Sequence, residues 1–494
     1  VAVNSEMTGL DDSDVVRRER FSGGPARSFL SSLDADERIF EADLAVDRAH
    51  VVMLAEQDVV SDDEAATILQ ALDVVEVEEH AGLPAGEDIH AAIETSVIDQ
   101  VGPVGGKMHT ARSRNDEVAA CIRYRLREDL LDAIEATLLA RESLLTVATE
   151  HTETVMPGFT HLQPAQPTTV AHWACSYQQA LARDTARLFD AYARVNQSPL
   201  GAAAFAGTTF DVDRERVAEL LGFDGVLDNA TDASATRDFL VETASALATL
   251  ATHLSGLAED LVVFANKGLV DLADDYSSTS SIMPQKVNPD TLELVRATAG
   301  DASAGLNGLL TTLKGLPRAY NRDLQRATPH VWASVDAVTE ATEVAAGAVA
   351  TADWPEEKLE AAAGEGFSTA TGVADLLAAS GIPFRTAHEV LALAAETAEE
   401  GGTPSYDLVA AAAEEVLDEP LSTYVSEDAV QTALDPVSNV AARDSLGGPA
   451  PETVRAHLAE ATEDCSGDEA ILDCLAESLD AADDDLREEV TAYV

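Results

Sequence analysis

Positive charge is what this sequence has least of. Arginine and lysine number 31 against 89 aspartates and glutamates, a net charge of −58 over 494 residues. Only five lysines occur: Lys107, Lys267, Lys286, Lys314 and Lys358. Binding nucleic acid or an anionic membrane needs a basic face, so neither partner is expected. The negative charge runs through every segment and is not one acidic tail. Self-repulsion at this density strains a compact, assembled state unless salt screens it. The screening length falls from about 10 Å at 0.1 M salt to about 3 Å at 1 M. The chain therefore reads as a protein of a very salty cytoplasm.

Cysteine is also scarce. Cys121, Cys175, Cys465 and Cys474 have the spacing of neither a zinc site nor a disulfide framework, which points to free thiols. Cys465 and Cys474 are near enough in sequence for a pairing in the tail to stay open. Nothing in the sequence calls for a metal or a cofactor. No uninterrupted apolar run has transmembrane length, and residues 1–14 lack the basic and apolar regions of a secretion signal.

Aromatics make up 5 % of the chain, while the hydrophobic share is 46 % and dominated by alanine, leucine and valine. That composition favours packed helices over disorder. Strand-like alternation is scarce, so the fold is expected to be all-α. Leu240, Ala244, Leu247, Ala251, Leu254, Ala258 and Leu261 recur at alternating spacings of four and three, and Leu250, Leu257 and Phe264 widen the face. This predicts a long helix over 238–266 in a bundle core or subunit interface. Ser61-Asp62-Asp63-Glu64 reads as a capped helix start. Residues 20–25 read as a turn, and 463–494 as an acidic helical tail. A Gly/Pro linker at 102–106 and Trp354-Pro355 suggest three helical domains, 1–106, 107–354 and 355–494.

Against this background three polar stretches stand out. Residues 277–296 carry the hydroxyls of Ser280 and Ser281, the cation of Lys286 and the amide of Asn288. Pro289 sits where a helix would begin, with Asn288 as its cap. A serine-rich surface turn is the ordinary reading, but a lysine kept here in a lysine-poor chain favours function. Residues 107–116 gather Lys107, Arg112 and Arg114, with Asn115 as a helix start. At 156–169 three prolines brace an extended backbone around Thr160 and His161, and Thr168 or Thr169 caps the next helix. Residues 311–326 are again cationic and irregular. Helix N-termini attract anions, so a bundle that brought the starts near 115, 168 and 288 together would form a pocket for a polyanion.

The run Ser280-Ser281-x-x-Pro284-x-Lys286-x-Asn288 resembles the signature of the fumarate-releasing lyase superfamily, with Thr279 where that signature has glycine. Residues 86–90, 107–116, 158–167, 313–317, 319–321 and 447–451 extend the resemblance, over nearly the whole chain, to the argininosuccinate lyase family. That resemblance implies elimination of fumarate from argininosuccinate to give arginine, the last step of arginine synthesis. It implies a homotetramer around a long central bundle, with each site drawn from three subunits. Ser280 is the family-implied base, helped by Lys286 and nearby N–H groups. His161 would protonate or orient the leaving guanidino nitrogen, and Glu293 would hold its imidazole. Which of Ser280 and His161 is the base stays open. Ser32, His90, Arg114, Asn115, Thr160, Asn288, Tyr320 and Gln325 match substrate-contacting positions. Thr328 stands where the family usually has lysine, with Arg326 as a candidate replacement cation. Three rival readings remain: a sister lyase acting on adenylosuccinate, a non-catalytic structural homologue of the kind found in eye-lens crystallins, and a lyase whose substrate has drifted, marked by Thr279 and Thr328.

Overall fold

The computed structural model describes residues 25–398 and 405–494; the turn expected at 20–25 lies outside them except for its last position. Helices α1 (Phe40–Glu56), α2 (Asp62–Gly82) and α3 (Ile89–Val101) make an N-terminal unit. The Ser61 cap forms as expected: Glu64 N–H donates to Ser61 Oγ, and Ser61 N–H donates to the Glu64 carboxylate. The expected linker at 102–106 is instead part of a 3-10 helix, Gly102–His109, packed on α3. At Gly105 the chains come so close that a Cβ would stand 3.0 Å from Ile98 Cα.

The central bundle holds α4 (Arg114–Glu150), α5 (Val170–Val195), α6 (Asp238–Lys267), α7 (Asp290–Leu313) and α8 (Thr328–Ala350). Polar pairs show the helix directions. Trp173 Nε1 donates to Asp260 at 2.9 Å, His253 meets Asp184 at 2.6 Å and Arg194 meets Glu242 at 2.8 Å, so α5 and α6 are antiparallel. Arg123 donates to the Arg194 carbonyl at 2.7 Å and Arg141 to Thr185 at 3.2 Å, so α4 and α5 are antiparallel too. Arg296 pairs with Glu259, which sets α7 antiparallel to α6.

The leucine–alanine seam of α6 is the core of this bundle. Leu240, Leu247, Leu250, Leu254, Leu257 and Leu261 are each at most 1 % exposed. Burial of each stabilises the fold by about 1.5–3 kcal/mol. By length and composition α6 is apolar enough to cross a membrane, but here it packs between α5, α7 and α8.

Four shorter helices, α9 (Ala370–Ala379), α10 (Phe384–Thr397), α11 (Tyr406–Leu417) and α12 (Glu427–Leu434), enclose their own small core around Leu377, Val390, Val409 and Val430. The last helix, α13 (Pro451–Tyr493), leaves that core and returns along α4, with Arg141 to Asp468 at 2.5 Å and Tyr124 to Asp483. Cys465 and Cys474 both lie on α13, nine residues or about 13 Å apart along its axis. That exceeds the reach of a disulfide, and all four cysteines are free.

The all-α expectation holds, with two small exceptions. The proline-braced segment is a hairpin of β1 (Val155–Thr160) and β2 (Gln163–Thr169), and β3 (Ser278–Thr279) pairs with β4 (Val287–Asn288).

Candidate active site

At the end of the bundle where α4 and α6 begin lies a cavity of about 730 Å³. Six of the expected substrate-contacting residues line it: Ser32, His90, Arg114, Asn115, Tyr320 and Gln325. The α4 start differs in detail from expectation. Ser113, not Asn115, is the N-cap, because Asp116 returns its cap by accepting from Ser113 N–H at 2.9 Å. Asn115 is thereby released into the cavity wall, its Nδ2 donating to the Ala204 carbonyl at 3.0 Å. Ser32 Oγ donates to Asp36 at 2.7 Å, Arg114 meets Asp88 at 3.3 Å and Gln325 Nε2 donates to the Leu30 carbonyl at 3.3 Å. Tyr320 follows Ala319, whose φ of 69° is left-handed and strained for a residue with a Cβ.

Beneath His90 lies a buried charge network. His90 Nδ1 meets Asp43 at 2.8 Å and Glu117 at 3.7 Å; Arg112 meets Asp47 at 2.5 Å and Glu117 at 3.0 Å. Burial alone would push the His90 pKa down, but Asp43 and Glu117 outweigh it and hold it up at about 10. Burial pushes Asp47 up to about 7 and Glu117 up to about 8, against the pull of Arg112. His90 is thus a cation at neutral pH. Asp43, His90 and Cys121, and likewise Asp43, Asp47 and Glu117, are close enough to hold a metal ion. In both groups the acids already face His90 and Arg112, which supply the positive charge a metal would bring.

The other expected residues lie at the opposite end of the bundle, about 45 Å away by the rise of α6 alone. There the hairpin of β1 and β2 is seated on aromatic rings: Phe159 packs on Phe264, and Trp173 on Phe264 and Trp354. Gly158 is required, since a Cβ there would stand 2.5 Å from the Gln166 carbonyl oxygen. Thr169 caps α5 by accepting from His172 N–H at 3.0 Å. Thr160, His161, Leu162 and Gln163 form the exposed hairpin tip. His161 and Leu162 have φ of 56° and 59°, the left-handed turn that asparagine and glycine normally serve. Such strain is found where a fold must aim a side chain.

In the serine loop, Ser280 Oγ accepts from Ile282 N–H at 3.3 Å and Met283 N–H at 3.1 Å. Two donors on one hydroxyl oxygen favour its ionised form. Thr279 pairs with Val287 in the ladder, a position that suits a β-branched residue better than glycine. Asn288 is not the cap of α7. It is held extended opposite Ser278, and Pro289 occupies the cap position without a side-chain bond. Lys286 and Glu293 are exposed.

Within one chain, then, the three helix starts do not meet: Asn115 is at one end, Thr169 and Asn288 at the other. No hydrogen bond or ion pair joins His161 to Ser280 or Glu293 among the described residues. Thr328 lines the cavity but Arg326 is exposed outside its wall; Arg38, Arg237 and Arg322 are the further cations lining it. Sequence reasoning passed over Arg38, Arg237, Asp36, Asp43 and Trp332. Their only local signal was arginine in a chain poor in cations.

The chain matches the lyase family over residues 28–303 and the argininosuccinate lyase C-terminal family over 367–441. It is 66 % identical over 492 residues to the argininosuccinate lyase of Haloarcula marismortui, covering 99 % of each chain. It is 69 % identical over 489 residues to that of Natronomonas pharaonis, again covering 99 % of each. Among solved structures, EDDS lyase in complex with formate superposes with a TM-score of 0.84 at 34 % identity, over 95 % of this chain and 96 % of that one. Fold, loop signatures and relatives agree, and the chain belongs to the argininosuccinate lyase family, a family of carbon–nitrogen lyases.

Proposed function

We propose that the chain eliminates fumarate from argininosuccinate, releasing arginine, in the arginine synthesis of a salt-rich cytoplasm. One observation carries the reading of the site: a preformed cavity lined by charged groups of both signs lies at one end of the bundle, and His161, Lys286 and Glu293 stand exposed about 45 Å away, with Ser280 half-buried beside them. Only other copies of the chain can close that distance. A homotetramer of antiparallel copies would bring the hairpin of one chain and the serine loop of another to the cavity of a third. Ile282, Val287, Leu294 and Leu310 are 83 %, 57 %, 71 % and 48 % exposed, apolar surface that such an assembly would cover.

In the assembled site the substrate's carbon acid is weak, and its proton is lost only if the dianion that forms beside the carboxylate is stabilised. Lys286 and the N-terminus of α7 are the groups of this chain that suit that charge. Ser280, with two N–H donors on its oxygen, is suited to take the proton. His161 then serves the departing guanidino nitrogen, with Glu293 as its orienting partner from a neighbouring chain. Ser32, His90, Arg114, Asn115, Tyr320 and Gln325 hold the substrate from the cavity side, and Thr160 and Asn288 from the other.

Fumarate release, followed by its ultraviolet absorbance at molar KCl and after dilution, tests the reading. Release from argininosuccinate but not adenylosuccinate, by a species sedimenting as a tetramer, is expected. With 58 uncompensated negative charges per chain, dilution is expected to abolish the activity. An active monomer would remove the shared site, and inactivity on both substrates would remove the assigned reaction.

A further inference from the structure

Four arginines line the cavity, and three already hold a carboxylate. Arg38 meets Asp129 and Asp336 at 2.9 and 2.7 Å, Arg114 meets Asp88 at 3.3 Å, and Arg322 meets Glu87. Arg237 has no acidic partner among the described residues. It is 3 % exposed. Its Nη1 donates to the adjacent Thr236 carbonyl at 2.7 Å, and its buried Nε donates to nothing. Burial draws its pKa down to about 10, with Tyr320 acting in the opposite sense, so it remains a cation at neutral pH.

A buried charge is ordinarily paired. Arg123 shows how this fold treats an arginine with no cavity to face. It is also buried and its Nε likewise has no partner, but it donates to two carbonyls, those of Arg194 and Val195 at the negative end of α5, and lies 3.8 Å from the Phe239 ring centre. Arg237 has a single carbonyl, that of Thr236 at the C-cap of the short helix Ala230–Ala235, and no ring beneath it among the described contacts. Its open side belongs to the cavity.

We infer that Arg237 is the anchor for the carboxylate at the amino-acid end of the substrate. The inference rests on the argininosuccinate reading. The two succinyl carboxylates have to lie beside Ser280, Lys286 and Asn288, where the proton leaves, so the third carboxylate is the one left for the cavity. Arginine's planar fork matches a carboxylate with two parallel donors. Asp36 and Asp88, on the same cavity wall, suit the neighbouring ammonium.

The test compares inhibition of fumarate release by arginine, by agmatine (arginine without its carboxylate) and by fumarate, in the assembled enzyme at molar KCl. The wild-type chain is expected to prefer arginine over agmatine by about tenfold or more, the worth of one charged hydrogen bond. Arg237→Gln should abolish that preference by weakening arginine alone, leaving agmatine and fumarate unchanged. Arg237→Lys should restore part of it. An unchanged preference in Arg237→Gln overturns the inference, as does weakened fumarate inhibition with the preference kept. If Arg237→Gln does not assemble, the same ratio is read in Arg237→Lys, where full retention overturns the inference. If the wild-type chain releases no fumarate from argininosuccinate, the activity reading has failed. Calorimetric binding of arginine and agmatine to the wild type and variants then still decides the anchor by the same ratio.

Discussion

At the end of the bundle where α4 begins, His90 and Arg112 sit buried among Asp43, Asp47 and Glu117, each ionic contact at 3.7 Å or less. At the other end, His161, Lys286 and Glu293 stand in the open, on a strained hairpin tip, a serine loop and the first turn of α7. On the proposed reading the two ends divide the labour of one site. Binding groups can be held inside a fold, because each charge brings its counter-charge with it. Among the described residues no side-chain hydrogen bond or ion pair holds His161 or Lys286, and it is association that would desolvate and aim them. Stability should therefore reside at the first end and turnover at the second.

The largest expected effect comes from the exposed end. Ser280→Ala and His161→Asn should each lower fumarate release by about 10²–10⁴-fold and move folding stability by no more than about 0.5 kcal/mol. Steady-state rates and thermal unfolding of the same samples check both halves. Unfolding of either variant would break the comparison.

Next is Arg112→Met at the buried end, which leaves Asp47 without its cation and Glu117 with only His90, at 3.7 Å. A loss of about 3–5 kcal/mol is expected in denaturant unfolding at molar KCl. Unchanged stability would show that this network is not the buried end's support.

A pH series sharpens the same point. The His90 pKa is raised from 6.5 to about 10, Asp47 from 3.8 to about 7 and Glu117 from 4.5 to about 8. All three hold a proton more tightly folded than unfolded. Their contribution is therefore complete below the unfolded values and lost as pH rises through the folded ones. Stability should decline from about pH 4 to about pH 10, and His90→Gln should flatten the upper part of that decline. A wild-type profile that rises over this range would contradict the arrangement.

The smallest effect is expected beneath the hairpin. Tyr177→Phe removes one of two donors to Asp260, the other being Trp173 at 2.9 Å. A cost of about 1 kcal/mol is expected in calorimetric unfolding, with little change in turnover.

Much of this was legible along the chain. The Ser61 cap, the α6 seam and the three polar stretches are local patterns, and local patterns survive without a fold around them. Helix starts were legible only to within two residues. Ser113 and Asn115 are both good caps, and the choice fell to Asp116 reaching back. Asn288 is a good cap as well, but its ladder with Ser278 took precedence. The hairpin escaped notice as strands because its turn, His161-Leu162, lacks the glycine or asparagine that announces one. Asp43 and Glu117 stand 74 positions apart, too far for any local pattern to join them to His90. The lone charge of Arg237 likewise shows only when its neighbours are seen to be uncharged.

By itself the sequence determined the helical composition, the strongly negative charge and the residue types of each box, because periodicity, charge and spacing are properties of the chain. Which end of the bundle each box occupies was decided only in three dimensions. Successive long helices of the bundle reverse direction, so boxes that all open helices are sent to opposite ends. The boxes are divided between the two ends of the single chain, and on the proposed reading packing between copies would rejoin them.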